Sequence, residues 1–112
     1  MLTVEALRAF GADTEDGLNR CMGNEGFYLK LVGRVLEDKN FEVLAESIAR
    51  QDLDSAFDAA HSLKGVLGNL ALTPIFQPVC NITEFLRAKA DMDYAPLLRE
   101  ITEMRDELVR ML

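Results

Sequence analysis

Proline and glycine are scarce, with 3 and 7 in 112 residues. No stretch alternates apolar and polar residues long enough to mark a strand, so sheets joined by tight turns are excluded and the chain reads as all helix. Only two cysteines occur, Cys21 and Cys80, far apart and without metal-ligand spacing. That leaves no disulfide framework and no expected metal site; buried reduced thiols are the first reading and a lone disulfide the second. No apolar run approaches the roughly 20 residues that cross a bilayer. The acidic N-terminus (Glu5, Asp13, Glu15, Asp16) lacks the basic, apolar and small-residue order of an export signal, and a cytoplasmic location is expected. Lys and Arg number 12 against 19 Asp and Glu, for a net charge of -7. The basic residues are scattered, which argues against nucleic acid and anionic membrane as partners. The length allows one core and no cleft between two lobes.

What is present is helical periodicity. Thr3 can cap a short helix, Val4 to Phe10, closed by Gly11; Asp13 or Thr14 can start another that ends near Gly23-Asn24-Glu25-Gly26. Residues 1–24 read as accessory helices and residues 25–112 as the bundle of one domain. From Phe27, the positions Leu31, Val32, Val35 and Leu36, then Phe41, Leu44, Ala45, Ile48 and Ala49, keep the spacing of an amphipathic helix, with a bend or break expected at Asp38-Lys39-Asn40. Asp52 caps the next helix, through Ala56, Ala59, Ala60, Leu63, Val66, Leu67 and Leu70. It ends by Leu72, because Thr73 precedes Pro74. Thr73 caps and Pro74 opens a helix to about Ala90. Within it, Pro78 should set off Thr73 to Gln77 as a separate turn or kink the helix. Asp91 or Asp93 starts the last, through Leu97, Leu98, Ile101, Met104, Leu108 and Met111. Four long amphipathic segments with short connections predict an antiparallel four-helix bundle.

His61 is the only histidine. At about 100° per residue, and with His61 at zero, Ala56, Ala59, Ala60, Leu63, Val66, Leu67 and Leu70 fall between roughly 140° and 260°, the buried stripe. Asp54, Phe57, Asp58, Lys64, Gly65 and Gly68 lie within about 60° of His61, so the imidazole points away from the core. Each glycine costs a helix roughly 1 kcal/mol relative to Ala. Close packing of a neighbouring helix would explain such a pair, but both face away from the expected core; clearing bulk beside the ring for a large partner explains them better. Lys64, three residues on, can swing a positive charge toward an anion attached to the ring. Taken singly, Lys64 is a solvated charge. Taken together, the face suits a histidine that carries a phosphoryl group. Phe57, one turn earlier, is either an apolar contact for a partner, with Asp58 beside it, or a ring tucked sideways against an adjacent helix.

The segment Ala60-His61-Ser62-Leu63-Lys64-Gly65-Val66-Leu67-Gly68-Asn69-Leu70 resembles the signature of histidine-containing phosphotransfer (HPt) domains, Ala-His-Ser/Thr-Leu-Lys-Gly followed by small residues and Asn-Leu. The resemblance implies an antiparallel four-helix bundle whose exposed His61 takes a phosphoryl group on Nε2 from the aspartate of a response-regulator receiver domain and returns it; a monomer is expected, since pairing through the histidine face would block the receiver. Its implied partners are such receivers and a hybrid sensor histidine kinase. The chain holds no cofactor on this view, since magnesium and the acidic pocket belong to the receiver, and it is a carrier rather than an enzyme. Lys64 would screen the phosphoryl charge and Gly65 clear its approach; Thr83 would hydrogen-bond the ring and Arg87 add positive field. Two departures from the pattern are Ala71, where the family usually has glycine, and Pro78. Two other readings compete. One is a helical adaptor without phosphate chemistry. The other is the dimerising helix pair of a sensor kinase, whose histidine is followed by an acidic residue, Arg and Pro, where this chain has Ser62-Leu63-Lys64.

Overall fold

Seven helices and no strand make up the computed structural model, which describes residues 1–112: α1 (Val4–Phe10), α2 (Thr14–Arg20), α3 (Glu25–Val35), α4 (Asn40–Ala49), α5 (Leu53–Asn69), α6 (Thr73–Arg87) and α7 (Ala95–Arg110). Four starts are held by a side chain that accepts from the amide three residues on: Thr3 from Ala6 at 3.0 Å, Asp13 from Asp16 at 3.1 Å, Asn24 from Phe27 at 3.0 Å and Asp52 from Ser55 at 3.1 Å. Such acceptors satisfy amides that have no partner inside the helix. The bond from Ser55 also holds the Asp52 carboxyl below its usual range.

The later helices start differently from expectation. Thr73 is the first residue of α6 and caps nothing; Leu72 stands at the cap, and Pro74 fills a position whose amide needs no helical partner. Helix α7 starts at Ala95, past both expected starts Asp91 and Asp93, although the Asp93 carboxylate accepts from the Ala95 amide at 3.0 Å. Pro78 sits buried inside an uninterrupted α6, so no separate turn is set off. The single bond it forfeits is to the Pro74 carbonyl in the first turn, where the loss is easiest to absorb.

Between α3 and α4 the chain breaks as expected. The Glu37 and Asp38 amides bond three residues back, to Arg34 and Val35, at 3.1 Å. The Asp38 carboxylate then accepts from Asn40 at 2.8 Å and restarts the helix. Arg105 of α7 donates twice to the Leu36 carbonyl, at 3.0 and 2.8 Å, and covers the Phe41 ring, which fastens this turn to the bundle.

Helix α5 packs against α4 on one side and α6 on the other, and α6 packs against α7. The short connections Arg50–Asp52 and Leu70–Leu72 make these neighbours antiparallel. The four arms of the bundle are thus the broken α3–α4 segment, α5, α6 and α7. Ala56, Ala59, Ala60, Leu63 and Leu67 form the buried stripe of α5. Val66, expected in that stripe, is 38% exposed and borders a groove with Leu31 and Arg34 of α3.

The first two helices, expected as accessories, are built into the core. Leu7 is completely buried, and Cys21 joins the same cluster. Gly17 lies flat on the Tyr28 ring, where an added Cβ would come within 2.6 Å of it. The Tyr28 hydroxyl donates to the Leu70 carbonyl at 2.9 Å, and the Asp13 amide donates to the Ala71 carbonyl at 3.0 Å. Burial pushes the Tyr28 hydroxyl up to about 12, so it remains a donor. Ala71 adopts φ +55°, a left-handed conformation that glycine takes without strain, which accounts for the family preference there. Both cysteines are free thiols.

Replacing Leu7 by Ala should therefore cost about 2–5 kcal/mol, the range of a core truncation. Denaturant unfolding measures it, and an unchanged midpoint would make α1 peripheral.

Candidate functional site

Asp52 starts α5 and the alanine-leucine stripe sets its rotation, which leaves His61, halfway along, exposed on the opposite side. Gly65, one turn on, has nothing within 4 Å of where a Cβ would stand, so the space beside the imidazole is open. Gly68 behaves otherwise. Its Cβ would meet the Phe76 ring of α6 at 2.9 Å. This glycine admits a neighbouring helix, and the reading that both glycines clear space for a partner holds for Gly65 alone.

Helix α6 runs antiparallel to α5, with Arg87 over Phe57 and Phe76 against Gly68. His61 is therefore level with Thr83 and Glu84. Thr83 faces inward and is fully buried, its hydroxyl donating to the Val79 carbonyl at 2.6 Å. It does not hydrogen-bond the imidazole as expected, because the α6 stripe of Ile75, Val79, Ile82 and Leu86 turns that flank to the core. Arg87, expected to add positive field, is engaged elsewhere on the same face. Its Nε pairs with Glu84 at 3.2 Å and its guanidinium carbon lies 5.0 Å from the Phe57 ring centre. Phe57 is half-buried and stacks on His61, ring centres 5.6 Å apart and planes 16° from parallel. Of the two readings of Phe57, the ring tucked against an adjacent helix is the one seen, and the same ring also lies against the histidine.

Lys64 is half-buried and pairs with no carboxylate; the three ion pairs of the chain join Arg20 to Asp16, Arg87 to Glu84 and Lys89 to Asp54. Burial pushes the Cys80 thiol up, and the nearby Lys64 charge opposes that shift. Asp58 is exposed.

His61, Lys64 and Gly65 open onto a groove of about 580 Å3 whose far walls are Asp13 at the cap of α2, Asp16 and Arg20 of α2, and Thr73, Phe76 and Gln77 of α6. Only two of its lining residues are apolar. Arg20 crosses toward the histidine helix, pairing with Asp16 at 3.2 Å and reaching Asn69 at 3.4 Å. Sequence reasoning did not find Arg20 or Gln77, and it met Asn69 only as part of the signature, without a place in the groove. Arg20 reaches the site only because Gly17 and Tyr28 dock α2, a contact no local pattern reveals.

Chemically, the site offers a nucleophilic ring edge, open approach and one unpaired cation. It has no second residue placed as a base, as a hydrolytic triad would need. The chain contains no cluster of three His, Cys, Asp or Glu residues able to hold a metal ion.

A family profile described as Hpt domain matches residues 37–111, more than half of the chain, starting in the turn before α4. Comparisons with curated proteins and with solved structures gave no match.

The two glycines should separate in stability. Gly65→Ala should raise it by about 0.5–1 kcal/mol, the helix preference alone, whereas Gly68→Ala should lower it by about 1–3 kcal/mol through overpacking against Phe76. Chemical denaturation of both variants checks this, and equal shifts would contradict it.

Proposed function

The chain belongs to the Hpt domain family, whose members pass phosphoryl groups through a histidine in phosphorelays as carriers rather than catalysts; we propose that His61 is the phosphoacceptor here and that the chain serves a multistep relay. The observation that carries this reading is the exposed imidazole beside the open space at Gly65. Transfer begins with the Nε2 lone pair of His61 attacking, in line, the phosphorus of an aspartyl phosphate on a receiver domain. The N–P bond forms as the P–O bond to the aspartate breaks, and the electron pair leaves on the carboxylate. Nδ1 keeps its proton. The reverse step hands the group to the next receiver.

Lys64 carries an ammonium on a flexible stem with no competing carboxylate, suited to screening the phosphoryl oxygens. Gly65 leaves room for the phosphoryl group and the aspartate that bears it. Magnesium and the acidic pocket come from the receiver. The receiver docks across the groove, meeting α5 at its centre and the Asp16–Arg20 pair of α2 as one wall, with exposed Asp58 of α5 as a further contact. A hybrid sensor histidine kinase supplies the relay. The carrier acts as a monomer, because pairing through the histidine face would block the receiver. No helix is long and apolar enough to cross a membrane; the proposed compartment is the cytoplasm.

Labelled phosphate on a receiver tests this directly. Wild-type protein should accept it, and His61→Gln should not, while stability changes by no more than about 0.5 kcal/mol, as at other exposed positions. Binding without acceptance would make the chain an adaptor, and acceptance by His61→Gln would move the site elsewhere. Lys64→Ala should slow transfer or shorten the phosphorylated lifetime with the bundle intact; unchanged kinetics would reduce Lys64 to a surface charge.

A further inference from the structure

An imidazole on an exposed helix face turns about a broad, roughly two-fold torsion. An acceptor that turns freely presents its nitrogen in line for only part of the time. What restrains His61 is Phe57, one helical turn earlier, stacked at 5.6 Å and 16° from parallel. Phe57 is itself half-buried against the core cluster and covered by Arg87 of α6, 5.0 Å from its centre, and Glu84 fixes Arg87 at 3.2 Å. A continuous chain of contacts therefore links the frame of α6 to the plane of the acceptor ring.

Building on the reading of His61 as phosphoacceptor, we propose that Phe57 is a positioning residue for phosphoryl transfer, holding the His61 ring plane and favouring the charge that ring acquires, with Arg87 as its clamp. When the Nε2 lone pair forms the N–P bond and Nδ1 keeps its proton, the imidazole becomes cationic. The face of an aromatic ring is its negative region, so a cation lying over it is attracted. At an exposed site the attraction is worth about a two- to fivefold change in equilibrium or rate. The stack thus acts on the ring and not on the donor, so its effect should be the same whichever molecule brings the phosphoryl group.

The experiment compares wild type, Phe57→Leu and Phe57→Tyr with two donors, the small molecule phosphoramidate and a phosphorylated receiver domain, and reads the rate of His61 phosphorylation. Phe57→Leu should slow both reactions by the same factor, about two- to fivefold, and Phe57→Tyr should restore both. A loss confined to the receiver reaction would make Phe57 a docking contact and overturn the proposal, as would unchanged rates or equal losses in both variants. Failure of the wild type with both donors would instead defeat the phosphoacceptor reading itself. A further check needs no variant: in proton NMR of the wild-type protein the His61 ring protons should be displaced by the ring current of Phe57, and random-coil positions would overturn the stack.

Discussion

Helix α5 buries Ala56, Ala59, Ala60, Leu63 and Leu67 between α4 and α6, and the direction in which His61 points follows from that stripe. Burial of apolar surface is the largest favourable contribution to folding, so the helix cannot roll without withdrawing leucines from the core. The cap at Asp52 fixes where the helix starts, and the left-handed turn at Ala71 fixes where it hands over to α6. An exposed histidine is therefore held at one height and one bearing by groups that never touch it.

Around that ring the structure is economical in chemistry. Lys64 is the nearest uncommitted cation, Gly65 supplies space, and Phe57 supplies a flat surface. Nothing here activates water or cradles a phosphate with backbone amides. On the proposed reading, a site that stabilised one phosphorylated state too well would not release the group to the next acceptor.

Much of this was legible in the sequence, for reasons of range. Capping by Thr3, Asp13 and Asp52 and the bearing of His61 depend on residues within one or two turns, and local periodicity reports them well. The break at residues 36–39 was legible for the same reason. Gly68 was misread because the bearing of a residue about its own helix says nothing of how far a neighbour bulges; Phe76 fills the flank that arithmetic on α5 leaves empty. Thr83 was placed at the right height and the wrong bearing, since antiparallel pairing fixes level while the α6 stripe fixes facing. The part played by α1 and α2 rests on Leu7 entering the core, Gly17 lying against Tyr28 and the Asp13 amide reaching the Ala71 carbonyl, contacts invisible to any local pattern. The groove residue Arg20 and its contact with Asn69 were lost with them.

The central claim is that the face left bare by α5 presents one ring nitrogen to a phosphoryl donor. Protein carrying 15N-labelled histidine, phosphorylated by a receiver domain, reports this through phosphorus–nitrogen coupling in NMR. The account predicts one phosphorus resonance, coupled to Nε2 of His61 and lost on mild acid treatment. Coupling to Nδ1, or an acid-stable phosphate on the neighbouring Ser62 hydroxyl, would contradict it.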